Sequence, residues 1–411
     1  MKMKKVLAIV LVVAIAAALC IAFAACGDKG DTETKTVKFG LITLHDESST
    51  YDKNFIDAAR AVCNELGVEL VIKSGINEDQ ACYQAAADLV DQGCDIIFAD
   101  SFGHEDYMIM AAREFTDVQF FHATGTNAHT VKLANYHNAF ANIYEGRYLA
   151  GVAAGMKLAA MKAANPTVES KIGYVGAFTY AEVMSGYTSY YLGVKSIVPD
   201  VTMEVTFTGS WYDPVAEKAA AENLINRGAV IVSQHADSMG APTACQEKGV
   251  PNITYNVSTK ADAPTTYLIG SKINWKVYYK YIIEKVQKGE AVEYDWCGGI
   301  EDGAVELTEL NTAVAAEGTA AKLEEVKGKL ASGEIKVFDV TKDNYITVGG
   351  VKVTTYMADV DDTKGADGKS DFVHESEAIN NGVFAESVKR SAPYFDMEID
   401  GITLLDRNYG D

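Results

Sequence analysis

Lys171-Ile172-Gly173-Tyr174-Val175-Gly176-Ala177-Phe178 is a short apolar run that ends in small residues and one aromatic. Such a run reads as a buried parallel strand whose C-terminal end opens into a loop. A helix follows from near Glu182 and carries Gly186 and Gly193. The run before the strand is Tyr144-Glu145-Gly146-Arg147-Tyr148-Leu149-Ala150-Gly151-Val152-Ala153-Ala154-Gly155, with small residues at helical spacing. A helix with that face can approach its neighbour unusually closely, because side chains set the interaxial distance. The pair reads as the start of a second α/β domain laid against a first. Ligands of such sheets bind beyond the carboxyl ends of the strands. Phe178 is therefore expected at the mouth of a cleft between two domains.

Strands and helices alternate in both directions from this stretch. Upstream, 37–44 is a strand, 51–66 a helix ended by Gly67, 68–73 a strand, 79–92 a helix and 94–99 a strand that opens into Asp100-Ser101-Phe102-Gly103. Downstream, strands at 204–208, 229–232 and 252–256 alternate with helices at 214–227 and 243–248. The alternation predicts α/β architecture with two doubly wound parallel-sheet lobes. Lobe 1 reads as 37–142 and lobe 2 as 143–256. Residues 257–297 are expected to return to lobe 1 and 298–336 to lobe 2, so that several crossings form a hinge. The pattern changes in a C-terminal extension, 337–411. There 344–355 reads as a hairpin turning at Gly349-Gly350, 359–370 as an exposed loop and 373–391 as partly helical.

At the other end, residues 1–5 are basic, 6–25 are apolar, and Phe23-Ala24-Ala25-Cys26 closes the segment. This describes a secretory signal, although the length also fits one membrane-spanning helix. Cys26, directly after two alanines and before Gly27-Asp28, resembles a bacterial lipobox, with Phe23 where that pattern usually has Leu. The implication is a signal peptide over 1–25, a lipidated Cys26, a tether over 26–36 and a place on the extracytoplasmic face of the cell membrane. The net charge of −21 argues against a nucleic-acid partner and against adsorption to an anionic membrane surface, leaving the anchoring to the lipid. Cys63, Cys82, Cys94, Cys245 and Cys297 are scattered, with no Cys-x-x-Cys pair. They resemble neither a disulfide framework nor a zinc site. His45, His122 and His235 fall near strand ends without metal-ligand spacing and read as hydrogen-bonded loop histidines. No cofactor or metal is expected.

Tyr144 through Gly151, Gly176-Ala177-Phe178, Ser210-Trp211-Tyr212-Asp213-Pro214, Gln234-His235-Ala236-Asp237-Ser238 and the Asn274-Trp275 region together resemble the basic membrane protein family of ABC-transporter lipoproteins. The resemblance covers roughly 37–330. It implies a type I periplasmic-binding-protein fold. It also implies a lipid-anchored receptor that passes a small solute, mostly a purine nucleoside or purine base in this family, to an ABC permease. A monomer is expected.

A purine is a flat apolar face with a polar rim, so its site needs aromatic plates and a few fixed polar partners. Trp211 matches an aromatic that faces the ligand in the family; core packing is the alternative. Tyr51 ends the first loop, near a base-facing aromatic of the family, with Ser49 where close relatives often have Trp. A helix-start residue half in the core reads equally well. Phe102 and Phe178 end parallel strands, one in each half, and either line the cleft or cap a core. Asp46 resembles a family aspartate in the first loop, and Asp237 sits at the equivalent point of the second half. Each is an acceptor for an amino group, a ring N–H or ribose hydroxyls, or a capping residue. Asn256 stands where the family usually has aspartate. No catalytic residue is expected, because the chain has neither a Gly-x-Ser-x-Gly elbow nor a Rossmann glycine fingerprint. The competing readings are a sugar receptor of the same fold, a secreted nucleoside hydrolase, and a sensor that presents its bound state to a signalling partner.

Overall fold

The protein is described here by a computed structural model that covers residues 35–360 and 376–407. The signal segment, Cys26, most of the tether and most of the 359–370 loop lie outside the described residues. Lobe 1 begins with five strands, β1 (Lys38–Ile42), β2 (Glu69–Lys73), β3 (Ile96–Ala99), β4 (Gln119–Ala123) and β5 (Tyr136–Ala141). Their connections are helices α1 (Thr50–Leu66), α2 (Gln80–Asp91), α3 (Glu105–Glu114) and the short α4 (Ala128–Val131). Helices cover both faces of the sheet, so β1 and β3 are apolar almost throughout, with Phe39, Leu41, Ile96 and Phe98 buried. Ser49 caps α1 by accepting from the Asp52 amide, and Gly67 ends it in the left-handed conformation.

The chain crosses to lobe 2 at Asn142, between β5 and α5 (Ile143–Ala164). There β6 (Lys171–Gly176) is followed by α6 (Ala181–Lys195), β7 (Thr202–Phe207), α7 (Pro214–Asn226), β8 (Val232–His235), α8 (Gly240–Lys248), β9 (Asn252–Tyr255) and β10 (Tyr267–Ile273). The small-residue face of α5 lies against α6. A Cβ built on Gly151 would stand 2.1 Å from the Tyr190 carbonyl oxygen, and one on Gly193 would stand 2.1 Å from that of Tyr148. The two helices touch backbone to backbone.

One crossing differs from the sequence expectation. β10 does not return to lobe 1; it pairs in parallel with β9 in the second sheet. An apolar strand needs a partner on an open edge, and β9 supplies one. The return falls at Asn274. It is followed by α9 (Trp275–Lys288), whose Trp275 stacks on Phe55 of α1 at 4.4 Å between centroids. β11 (Asp295–Gly298) then joins β5, completing a six-stranded parallel sheet in the order β11-β5-β4-β3-β1-β2. β12 (Val305–Leu307) crosses back and pairs antiparallel with β10, and α10 (Thr319–Ala331) follows.

The extension starts with the expected hairpin. β13 (Thr347–Val348) and β14 (Val351–Lys352) turn at Gly349 and Gly350, with φ of 58° and 76°. Both turn amides donate to the Asp400 carboxylate. The partly helical reading of 373–391 is corrected. The described part holds only short ladders, β15 (Met357–Ala358) with β16 (Ser376–Glu377) and β17 (Ile379–Asn380) with β18 (Val383–Phe384). Asn381-Gly382, with φ of 50° and 78°, is a hairpin signal that overrides the helical spacing. Phe338, Phe384 and Phe395 form the core of the extension. Its last strand, β19 (Ile402–Leu404), pairs in parallel with β7, so the second sheet has seven strands in the order β12-β10-β9-β8-β6-β7-β19. Ser391 meanwhile donates twice to Asp295 of lobe 1, at 2.8 and 2.9 Å. The extension is thus tied to both lobes. Among the described residues, no helix is long and apolar enough to cross a membrane.

Candidate functional site

The strand ends of the two sheets face one another across a narrow cavity. Lobe 1 lines it with Leu44, His45, Tyr51, Asp52, Ser101, Phe102 and Thr124, and lobe 2 with Glu182, Trp211, His235 and Asp237. The lobes are closed on it. The Thr50 amide, at the start of α1 and without a partner inside its own helix, donates across the gap to the Asp237 carbonyl at 2.8 Å. The Phe102 ring stacks on Tyr180 at 5.1 Å, and His45 lies 5.3 Å from Tyr212.

The lobe 1 wall is tied down from within. Asp52, in the first turn of α1, accepts from the His45 amide at 2.8 Å and from the Ser49 hydroxyl at 2.5 Å. Burial alone would raise its carboxyl, but these donors hold it below the usual carboxylate range. Tyr51 donates its hydroxyl to the Asp100 carbonyl at 2.8 Å. Ser101 donates to Glu78 at 2.6 Å, and so does the Gly103 amide at 2.7 Å, which sets the loop that carries Phe102. Burial and the neighbouring Asp52 push the fully buried Asp100 well above the usual carboxylate range.

The lobe 2 wall has an aromatic half and a charged half. Trp211 lines the cavity. Phe178 stands behind it at 5.0 Å and stacks on Tyr180 at 5.1 Å. Asp237 is 4% exposed and its carboxylate accepts no hydrogen bond from the described protein. Burial first, and then the charges of Asp52, Glu217 and Glu182, raise it well above the usual range. Glu182, in the first turn of α6, has one oxygen 3.4 Å from His235 Nε2. Burial pushes its carboxyl up to about 7, against the pull of Arg147. Burial and Arg147 hold His235 well below its ordinary value, hence neutral. Arg147 itself is buried in α5. Its guanidinium lies 3.6 Å over the Tyr255 ring and donates from Nη1 to the Gln234 carbonyl at 3.1 Å. Its Nε and Nη2 have no hydrogen-bond partner.

Against this geometry, the family model described as "ABC transporter substrate-binding protein PnrA-like" (Bmp) matches residues 41–340. The chain belongs to the Bmp family. Proteins of this kind bind small molecules outside the cytoplasm and work with a permease. Among curated relatives of this Bmp protein is a putative ABC transporter glucose-binding protein of Haloferax volcanii, 31% identical over 245 residues, which are 60% of this chain and 57% of the relative. The chain thus spans little more than half the length of that relative. A purine-binding protein of Brucella abortus is 29% identical over 303 residues, 73% of this chain and 79% of the other. A solved ABC transporter solute-binding protein of Aeropyrum pernix is similar with a TM-score of 0.62 at 18% identity, covering 73% of this chain and 92% of that one. One of Conexibacter woesei reaches 0.60 at 21% identity, covering 75% and 99%. These likenesses show the type I periplasmic-binding-protein fold.

The Bmp cleft brings together four of the seven residues singled out in the sequence: Tyr51, Phe102, Trp211 and Asp237. Phe178 lies one layer back, where it supports Trp211. Asp46 is at the surface. Its Oδ1 accepts from the Ser48 amide at 2.9 Å and from the Ser48 hydroxyl at 2.6 Å, and these donors hold its carboxyl below the usual range. Asn256 lies in a second, open space between α1 and the ends of β9 and β10, with Lys53, Asn54 and Lys272. It adopts φ of 65°, which Asn tolerates better than most residues, and its Nδ2 has no partner. Sequence reasoning missed Asp52, Glu182 and Arg147. Asp52 reads as a capping partner of Ser49, and Glu182 as a carboxylate stabilised at a helix start. Arg147 leaves a signal, a lone charge on the small-residue face of α5.

Proposed function

We propose that this Bmp-family receptor binds a purine nucleoside or purine base in the cavity between its lobes. Lipid on Cys26 anchors it to the extracytoplasmic face of the membrane, and it hands its ligand, as a monomer, to an ABC permease. The observation that carries the ligand reading is one cavity lined by Phe102 and Trp211 together with the open acceptor Asp237. Aromatic plates suit the faces of a base and fixed acceptors suit its rim. The names of the Brucella relative and of a nucleoside-binding relative of Lactococcus lactis, 24% identical over 269 residues, agree with it. Closure would turn about the crossings at Asn142, Asn274 and 299–304. The Thr50–Asp237 bond and the Phe102–Tyr180 contact form only as the lobes meet. The glucose-binding name of the Haloferax relative favours a second reading, a sugar receptor, because sugar sites also pair aromatic plates with carboxylates.

Thermal unfolding against purine bases, nucleosides and sugars tests the reading. A ligand at 100 times its Kd stabilises the folded protein by about 2.7 kcal/mol and raises the melting temperature by several degrees. Trp211→Ala should weaken purine binding roughly 10- to 100-fold, from about 1–3 kcal/mol of lost base stacking. A shift with a sugar and with no purine would transfer the site to sugars.

A further inference from the structure

The cavity offers acceptors where a ligand must bring donors. From lobe 1, Asp52 already has its own donors in His45 and Ser49, and Tyr51 is engaged with Asp100. From lobe 2, Asp237 has no donor, and the nearest to Glu182 is a histidine nitrogen at 3.4 Å. Among the described residues the positive charge packed behind this wall is Arg147; it does not line the cavity, and its guanidinium lies over the Tyr255 ring and donates to the Gln234 carbonyl, with Nε and Nη2 unpaired. Two carboxyl groups therefore stand against one cation in a space largely closed to water. Even with one of the two carboxyls protonated the wall holds more acceptors than donors, so a carbonyl or phosphate oxygen finds fewer partners there than an amine does, and in a desolvated site the unpaired acceptors keep their full penalty. An amine presents two N–H groups, one for each carboxyl.

We infer that the lobe 2 wall reads an exocyclic amine: Asp237 and Glu182 accept the N–H groups of an amino-bearing purine and refuse both its oxo counterpart and phosphorylated ligands. This rests on the purine reading of the site. The elevated carboxyl of Glu182 fits the same role. Its protonated form can donate to the ring nitrogen beside the amine while its other oxygen accepts one amine N–H. The groups facing Glu182 are His235, Asp237, Arg147 and, from the extension, the buried Glu386. Of these Arg147 alone carries positive charge, and it does not line the cavity, so an anionic ligand meets the two carboxyl groups before any counter-charge. Sites built to hydrogen-bond a polar group reject the analogue that lacks it by large factors.

The test is calorimetric titration of the purified protein with adenine and hypoxanthine, which differ in amine against oxo at one position and in whether the ring nitrogen beside it accepts or donates, and with adenosine and adenosine monophosphate. Adenine should bind at least tenfold tighter than hypoxanthine, and the monophosphate at least tenfold weaker than adenosine. Glu182→Gln and Asp237→Asn should each shrink the adenine-to-hypoxanthine ratio below threefold without lowering the melting temperature. If Asp237→Asn fails to fold, Glu182→Gln carries the test alone. Equal affinity for the two bases, or a ratio unmoved by Glu182→Gln, overturns the inference and leaves the purine reading standing. No binding of any purine, together with a melting shift by glucose, overturns the purine reading itself.

Discussion

On lobe 1, Asp52 takes hydrogen bonds from His45 and Ser49, Ser101 donates to Glu78, and Tyr51 to the Asp100 carbonyl. On lobe 2, Asp237 takes none, Arg147 keeps two nitrogens without a partner, and the buried His235 Nδ1 has none. The groups of lobe 1 that line the cavity are paired within the protein, although Asp100 Oδ2 and His122 Nδ1 behind them are not; on lobe 2 the incompleteness reaches the lining itself. A finished wall holds its rings in one geometry, which preorganises the site. An incomplete wall costs the empty protein about 1–3 kcal/mol for each buried group left unpaired, and a ligand with matching groups offsets that cost. Selectivity then resides in lobe 2, whereas lobe 1 supplies shape.

The contrast extends to packing, and the largest expected effect lies there. Gly151→Ala drives a methyl into the Tyr190 carbonyl at the α5–α6 contact, where only backbone can yield. It should cost about 3 kcal/mol or more, read by urea unfolding. Gly40→Ala in β1 meets the tip of Leu89 at 2.9 Å, a side chain that can turn aside. It should cost less than about 1.5 kcal/mol. Similar losses for the two would break the contrast.

The next effect concerns the unpaired acid. Glu182 is raised from an ordinary 4.5 to about 7 in the folded protein. Its contribution to stability is therefore fully present below pH 4.5 and is lost as pH rises through 7. Wild type should lose on the order of 2 kcal/mol relative to Glu182→Gln across that window. His104 and His137, each held near 4 by burial, act in the opposite direction. They cancel when the two proteins are compared at each pH. A stability difference that stays flat with pH would show that Glu182 is already satisfied on lobe 2.

The smallest effect sharpens the lobe 1 side. Asp46→Ala removes a surface carboxylate engaged with Ser48 and should change ligand affinity by less than about 0.5 kcal/mol. A tenfold loss in a titration would bring Asp46 back to the ligand.

Much of this architecture was legible in the chain. The Gly151 and Gly193 spacing announced a close helix pair, and the alternation of apolar runs announced the sheets. The sheet that β10 joins was not legible. An apolar strand declares that it is buried, and the open edge elsewhere decides where. The site divides in the same way. Tyr51, Phe102 and Trp211 lie near strand ends, where sequence position alone suggests a cleft. Asp46 in the first loop and Asp52 in the first turn of α1 carry the same charge six residues apart, and the Ser49 cap between them determines which turns inward. Arg147 meets Gln234 and Tyr255 across a distance in sequence that no local pattern records. The extension was hardest, because Asn381-Gly382 sets its turns and its partner strand lies in lobe 2.

The pairing of β19 with β7 also has a consequence in time. As the chain emerges N-terminus first, β1 to β5 of lobe 1 appear in one uninterrupted stretch and can pair as they come. The open side of β7 must wait until Ile402 has emerged. At about 5–20 residues per second, that leaves a raw strand edge for roughly 10–40 s. Such an edge is a template for pairing with other chains. That wait is longer than the wait of the β5 edge in lobe 1 for β11, so lobe 2 keeps the longer-lived edge open to other chains.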